Sequence, residues 1–164
     1  MPRESAARYS PMVMGDMPQP PTGIFEGQSH LFPLRIYYED TDLSGLVYHA
    51  NYLKYAERAR SDLLRLLNID QRAAHEAGEG NYAVAEANIR FFAPARLDDS
   101  LTVQTRCVEL KAASVRLAQV IMRGDDKLVE IAVRVGFIAP NGRPRRQPDE
   151  WRKAFDNFFA KETE

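Results

Sequence analysis

Residues 37–60, YYEDTDLSGLVYHANYLKYAERAR, decide how this chain is read. The first half crowds Glu39, Asp40, Asp42, Gly45 and His49 into a polar turn, and the second half opens a helix. From about Ala50 to Leu67 apolar residues recur at Tyr52, Ala56, Ala59, Leu63 and Leu66. That 4, 3, 4, 3 spacing predicts a helix with one buried face, and Lys54, Glu57, Arg58, Arg60, Asp62 and Arg65 fall largely off it. Asn51 is the better N-cap by chemistry, with His49 the alternative. The first-turn N–H groups of a helix lack intrahelical partners, and its dipole leaves that end partly positive. A carboxylate held beside them can attack a carbonyl or activate water while the amides receive an oxyanion. Such a role needs Asp42 close to the opening turn near His49 and turned away from bulk solvent.

Downstream, Gln71 to Glu76 reads as a short second helix ended by Gly78 and Gly80. The period then changes to two. Ala83, Ala85, Ala87, Ile89 and Phe91 alternate with more polar neighbours as a half-buried strand, and small alanines there would admit a helix closely. Leu101, Val103, Thr105 and Cys107 start a second strand whose apolar phase slips to Val108 and Leu110, the mark of a bulge. Residues 113–123 form a third, and Val129 to Phe137 a fourth after a turn at Asp125-Asp126. Asn141-Gly142 ends the sheet, and a helix from Asp149 carries Trp151, Phe155, Phe158 and Phe159 on one face for packing. Upstream, a strand is expected over Phe32 to Tyr38. Residues 1–28 hold Pro2, Pro11, Pro18, Pro20 and Pro21, half of the chain's 10 prolines, and are expected to form a tail without regular structure, leaving 29–164 as one domain. His30 and His75 have no partners by spacing and are expected on the surface. One early helix followed by antiparallel strands gives an α+β layout in which the sheet wraps the helix. A single helix covers a sheet face poorly at its edges, so pairing between copies in a homo-oligomer, dimer or tetramer, is expected.

A net charge of -1 gives nothing that points to nucleic acid or an anionic membrane. Cys107 is the only cysteine, so no internal disulfide forms and no Cys/His set has zinc spacing. No apolar run reaches the length of a membrane span, and the basic Arg3 and Arg8 are not followed by a signal-peptide core, so the chain is read as cytoplasmic.

With these residues in view, YYEDTDLSGLVYHANYLKYAERARSDLLR resembles the signature of hotdog-fold acyl-CoA thioesterases, in particular the Tol–Pal-associated branch of the hydroxybenzoyl-CoA thioesterase family. The resemblance runs from about Arg35 to Arg146, through FFAPARLDD and the NGRPRR turn. It implies a hotdog fold, hydrolysis of an acyl-CoA to a carboxylic acid and free CoA, and no cofactor or metal. It also implies Asp42 as nucleophile or general base, with the backbone N–H at His49 polarising the thioester carbonyl. Tyr48 and Gly45 match the turn that joins them. Lys111 and Ser114 match positions that hold the CoA phosphates, at a junction where helix end and strands of different subunits meet. Ala112 and Ala113 depart from a more basic pattern there, which leaves Arg143, Arg145 and Arg146 as further phosphate contacts. Leu43-Ser44 replaces a smaller pair, which bears on the width of the acyl pocket. Asp40 and Glu57 stand behind the site, Asp40 as a turn residue or a partner that raises the Asp42 pKa, Glu57 in support or in a salt bridge. A hotdog hydratase acting on enoyl or hydroxyacyl thioesters and a non-catalytic module binding acyl-CoA or acyl carrier protein are the rival readings.

Overall fold

The computed structural model describes residues 18–159. Strands β1 (Ile24–Glu26) and β2 (Ser29–Arg35) form a hairpin, and a 3₁₀ turn (Tyr38–Asp40) leads to α1 (Asn51–Leu66) and α2 (Gln71–Glu76). Then come β3 (Asn81–Phe91), β4 (Ser100–Leu110), β5 (Ser114–Arg123), β6 (Asp126–Ile138) and α3 (Asp149–Phe159). The strands make one antiparallel sheet in the order β1-β2-β4-β5-β6-β3, with α1 across its middle. This is the hotdog arrangement, α+β.

The apolar stripe of α1 does what its spacing predicts. Tyr52, Ala56 and Ala59 are buried against Val103 of β4, Ile121 of β5 and Ile131 of β6, Leu63 is buried too, and Leu66 at the helix end is half-buried. Ala56 and Ala59 are fully covered, and the Ala56 carbonyl accepts a 3.0 Å hydrogen bond from Gln119 Nε2 on β5, so the helix backbone itself rests on the sheet. The helix stops where Asn68 takes φ 59, and Ile69 N–H donates back to the Leu64 carbonyl at 2.9 Å. Beyond that end, α3 extends the core: Trp151 packs on Tyr82 and Phe137, and Phe158 on Phe25 of β1. The side chain of Phe159 lies outside the described part.

The bulge expected near Val108 is present, with the β4–β5 register shifting between Cys107 and Glu109 and Leu110 returning to the inner face. Strand β3 keeps its expected phase at Ala87, Ile89 and Phe91 and departs from it ahead of them. Its register against β6 shifts between Val84 and Glu86, which leaves Ala85 unpaired. Tyr82 and Val84 therefore stand opposite the inward residues of β6 in place of Ala83 and Ala85, in line with Ala87, Ile89 and Phe91. α1 covers the middle strands and not this edge, so Val84 and Phe91 on β3 stay 55% and 52% exposed.

Two further expectations are corrected at the N-terminal side. β1 falls inside the segment read as a structureless tail, because Phe25 gains a partner in Phe158 that local sequence does not show. Residues 1–17 of that tail lie outside the described residues. His30, expected on the surface, is fully buried: Nε2 lies 2.7 Å from Asp62 Oδ2 on α1. The same carboxylate accepts from Gly23 N at 2.8 Å and Thr22 Oγ1 at 2.9 Å, so one helix residue clamps the N-terminal segment. A β-carbon at position 23 would stand 2.4 Å from His30 Nε2, which explains the glycine. His75 is exposed, as expected.

Burial holds the His30 pKa below its ordinary value although the Asp62 contact pulls upward. For Asp62, burial alone would raise the pKa, and its donors outweigh that to leave it lowered. The sign follows from proton uptake. Between about pH 7 and pH 5 the unfolded chain protonates His30 (pKa about 6.5) before the folded chain does, so stability falls as pH falls, by at most about 1.4 kcal/mol per unit. Urea midpoints at pH 7.5 and 5.5 should show this drop, and His30→Gln should flatten it.

Candidate active site

The turn before α1 is a small hairpin. Thr41 bridges to Val47, Asp42 N–H donates to the Leu46 carbonyl at 2.9 Å, and Gly45 N–H to the Asp42 carbonyl at 3.0 Å. Gly45 sits at φ +77, a conformation that any side chain would strain. Asp40 is the anchor. Its buried carboxylate accepts from Tyr37 N at 2.7 Å, while its carbonyl accepts from Tyr48 N at 2.9 Å and Asn51 Nδ2 at 2.8 Å. This ends β2 at Arg35, short of the expected Tyr38, and takes the Asn51 side chain away from capping. The N-cap is Ala50, with no side-chain cap. Asp40 is thus a turn residue whose carbonyl holds the start of α1 in place.

Asp42 presents its carboxylate at the tip. Oδ1 accepts from both the backbone N–H (2.8 Å) and the hydroxyl of Ser44. The Ser44 hydroxyl and amide, with a smaller electrostatic contribution from His49, hold the Asp42 pKa below the usual carboxylate value. The Asp42 pKa is lowered and not raised, so the like-charge route to a stronger base is not the arrangement found. Ser44 was readable in principle, since Asp-x-Ser is an Asx-turn pattern. In the single chain Asp42 is exposed to solvent, contrary to the expectation that it turns away.

Among the described residues the His49 amide has no hydrogen-bond partner. The His49 ring lies tilted against Tyr48 with centroids 4.5 Å apart and stands edge-on to Phe91 of β3 at 6.5 Å. The end of the edge strand therefore reaches the turn, a neighbour that the sequence reading missed. Burial pushes the Cys107 thiol well up and keeps it protonated. Among the described residues no cluster of His, Cys, Asp and Glu has a metal-binding geometry.

The remaining candidates lie elsewhere in the chain. Lys111 N–H closes the β4–β5 hairpin on the Ser114 carbonyl at 2.8 Å, and Lys111 Nζ pairs with Glu109 at 3.4 Å. Arg145 donates to the Glu79 carbonyl at 2.6 Å, Arg146 pairs with Asp149 at 3.3 Å, and Arg143 is held through its backbone, its N–H donating to Asn141 Oδ1 at 3.0 Å and its carbonyl accepting from Ala139 N–H at 2.9 Å. These residues gather at the Leu110 end of β4, whereas its Ser100 end pairs with Arg35 beside the acidic turn. Ten strand residues separate the two ends by roughly 33 Å. One chain does not bring Lys111, Ser114 and the arginines to Asp42. Glu57 is exposed on α1, and among the described residues it forms no salt bridge with Arg58 or Arg60.

The thioesterase superfamily model matches residues 44–130, more than half of the chain. The chain belongs to the thioesterase superfamily. The match takes in the opening of α1 and begins two residues after Asp42. The acyl-CoA thioesterase YbgC of Haemophilus influenzae is 39% identical over 128 residues, covering 77% of this chain and 94% of that protein. The acyl-CoA thioester hydrolase YbgC of Escherichia coli is 38% identical over 119 residues, covering 71% and 88%. The crystal structure of a probable thioesterase from Bartonella henselae superposes with a TM-score of 0.69 at 37% identity, covering 73% of this chain and 99% of that one.

Proposed function

We propose that this superfamily member hydrolyses acyl-CoA thioesters to a carboxylic acid and free CoA, as the names of its YbgC relatives describe for them. The observation that carries the reading is an ionised Asp42 on the turn that also presents the unpaired His49 amide. A thioester carbonyl is electrophilic and its thiolate leaves readily, so a weakly basic carboxylate suffices. Water, deprotonated by Asp42, adds to the carbonyl carbon, or Asp42 itself adds to give an anhydride that a water then hydrolyses to free the acid and the carboxylate; in either route the oxyanion points at the His49 N–H, the C–S bond breaks and the thiolate takes the proton given up by the water. Asp40 positions both groups without touching substrate. Tyr48 and Gly45 shape the approach.

The solvent-facing Asp42 and the exposed β3 edge support a homo-oligomer in which a second copy covers the turn and pairs with Val84 and Phe91. The same step would carry Lys111, Ser114 and Arg143 of one copy towards Asp42 of the next, as CoA phosphate contacts. An acyl carrier protein delivers the same thioester bond and is a further partner to test. The lone cysteine and the lack, among the described residues, of a helix long and apolar enough to cross a membrane fit work in the cytoplasm.

A thiol-release assay across acetyl-, hexanoyl-, palmitoyl- and benzoyl-CoA tests the reading. At least one ester should yield stoichiometric free thiol and acid. Hydration of crotonyl-CoA without thiol, or binding without turnover, would replace it with a hydratase or a binding module.

A further inference from the structure

Gln147, in the loop between β6 and α3, is 1% exposed and turns both its backbone and its side-chain amide onto the β4–β5 hairpin. Its N–H donates to the Ala112 carbonyl at 2.8 Å, and Nε2 donates to the carbonyls of Lys111 at 2.8 Å and Ser114 at 3.4 Å. Oε1 accepts from the Tyr82 hydroxyl on β3, so the amide is fixed from its far side as well. The Ala113 carbonyl is taken by Phe137 N–H of β6 at 2.8 Å. All four carbonyls of residues 111–114 are thus bonded, three of them by Gln147.

A trans peptide holds its C=O and the following N–H on opposite sides. With the Lys111 and Ala112 carbonyls drawn to Gln147, the N–H groups of Ala112 and Ala113 face away from it, and among the described residues neither has an acceptor. Successive amides aimed one way make an anion-binding concavity. Here they lie between Lys111, which is exposed, and the half-buried Ser114, whose hydroxyl has no partner among the described residues. The carboxylate beside them, Glu109, is shared between Lys111 Nζ at 3.4 Å and Arg116 Nε at 3.1 Å. Alanine at 112 and 113 removes basic side chains, but N–H donors need no side chain, and a methyl group leaves room for a phosphate to reach them.

We propose that Gln147 is a positioning residue for substrate binding: it holds the β4–β5 hairpin so that the Ala112 and Ala113 amides, with Lys111 and Ser114, receive a phosphate of CoA. The inference rests on the hydrolase reading and on Lys111 and Ser114 as phosphate contacts, and adds the donors that complete the grip and the residue that aims them. Its test takes the fastest ester of the acetyl-, hexanoyl-, palmitoyl- and benzoyl-CoA series. On the full-length protein, kcat/KM for that ester is compared with the value for the pantetheine thioester of the same acid, which has the same reacting bond and no phosphate.

The wild type should favour the CoA ester by on the order of tenfold, and added salt should erode that preference. Gln147→Met, close in size and without hydrogen-bonding groups on its side chain, should cut the preference by about fivefold, mainly through KM of the CoA ester. Tyr82→Phe, which frees only Oε1, should cut it by about twofold. A Gln147 that only packs would lower turnover of both esters together, so an unmoved ratio in Gln147→Met overturns the inference. If that variant does not fold, Tyr82→Phe decides by the same ratio. Equal kcat/KM for the two esters in the wild type also overturns it and leaves the hydrolase reading intact. No thiol from any CoA ester overturns both.

Discussion

Asp42→Asn should remove thioester cleavage, lowering kcat by on the order of 10³-fold or more, with an unchanged fold. The amide is isosteric with the carboxylate, and its oxygen can still accept from Ser44, so the hairpin that Asp40 and Gly45 hold is kept. What the amide lacks is the negative charge that attacks the carbonyl or draws a proton from water. Because Asp42 is exposed, its replacement should stay within about 0.5 kcal/mol of wild-type stability. Thiol release and a melting curve on the same preparation decide the matter. A variant that turns over at the wild-type rate means the carboxylate is only a turn residue.

The second large effect concerns stability at a distance from the chemistry. Asp62→Ala removes the acceptor shared by His30, Gly23 and Thr22, and leaves His30 buried with neither ring nitrogen bonded, since Nδ1 already lacks a partner. The His30 imidazole and the Gly23 N–H are then both buried and unpaired, at about 1–3 kcal/mol each and roughly 2–5 kcal/mol together. For a chain of this size that should lower the melting temperature by roughly 10 °C. The double replacement His30→Phe with Asp62→Leu should recover part of the loss, because an apolar pair needs no hydrogen bonds. A drop of under 1 kcal/mol for Asp62→Ala would show that the clamp is decorative. Since β1 and β2 hang on this residue, the variant should also expose residues 18–35 to protease first.

Much of the fold was legible because its signals are local. The 4, 3, 4, 3 stripe of α1, the alternation of β6 and the slip at Val108 each depend on residues a few positions apart, and the structure repeats them almost to the residue. The Ala85 bulge was not legible. Alanine is small enough to suit either phase, and only pairing with β6 chooses between them. His30 was misjudged for a related reason: its partner is 32 residues away on another element. Gln119 carried a signal, an amide at an inward position between Leu117 and Ile121, but its role needed Ala56, Thr105 and Arg60 to be placed around it.

The amino-acid sequence by itself determined the acidic turn, the helix it feeds, the sheet that follows and the family to which they belong, because near-neighbour periodicity and turn chemistry act before any tertiary contact forms. Only the tertiary structure decided that Asp40 is an anchor, that Asp42 stands in the open on one chain, and that the phosphate candidates gather at the far end of β4. Those outcomes depend on which distant surfaces meet, and burial, not spacing, sets the chemistry of a charged side chain.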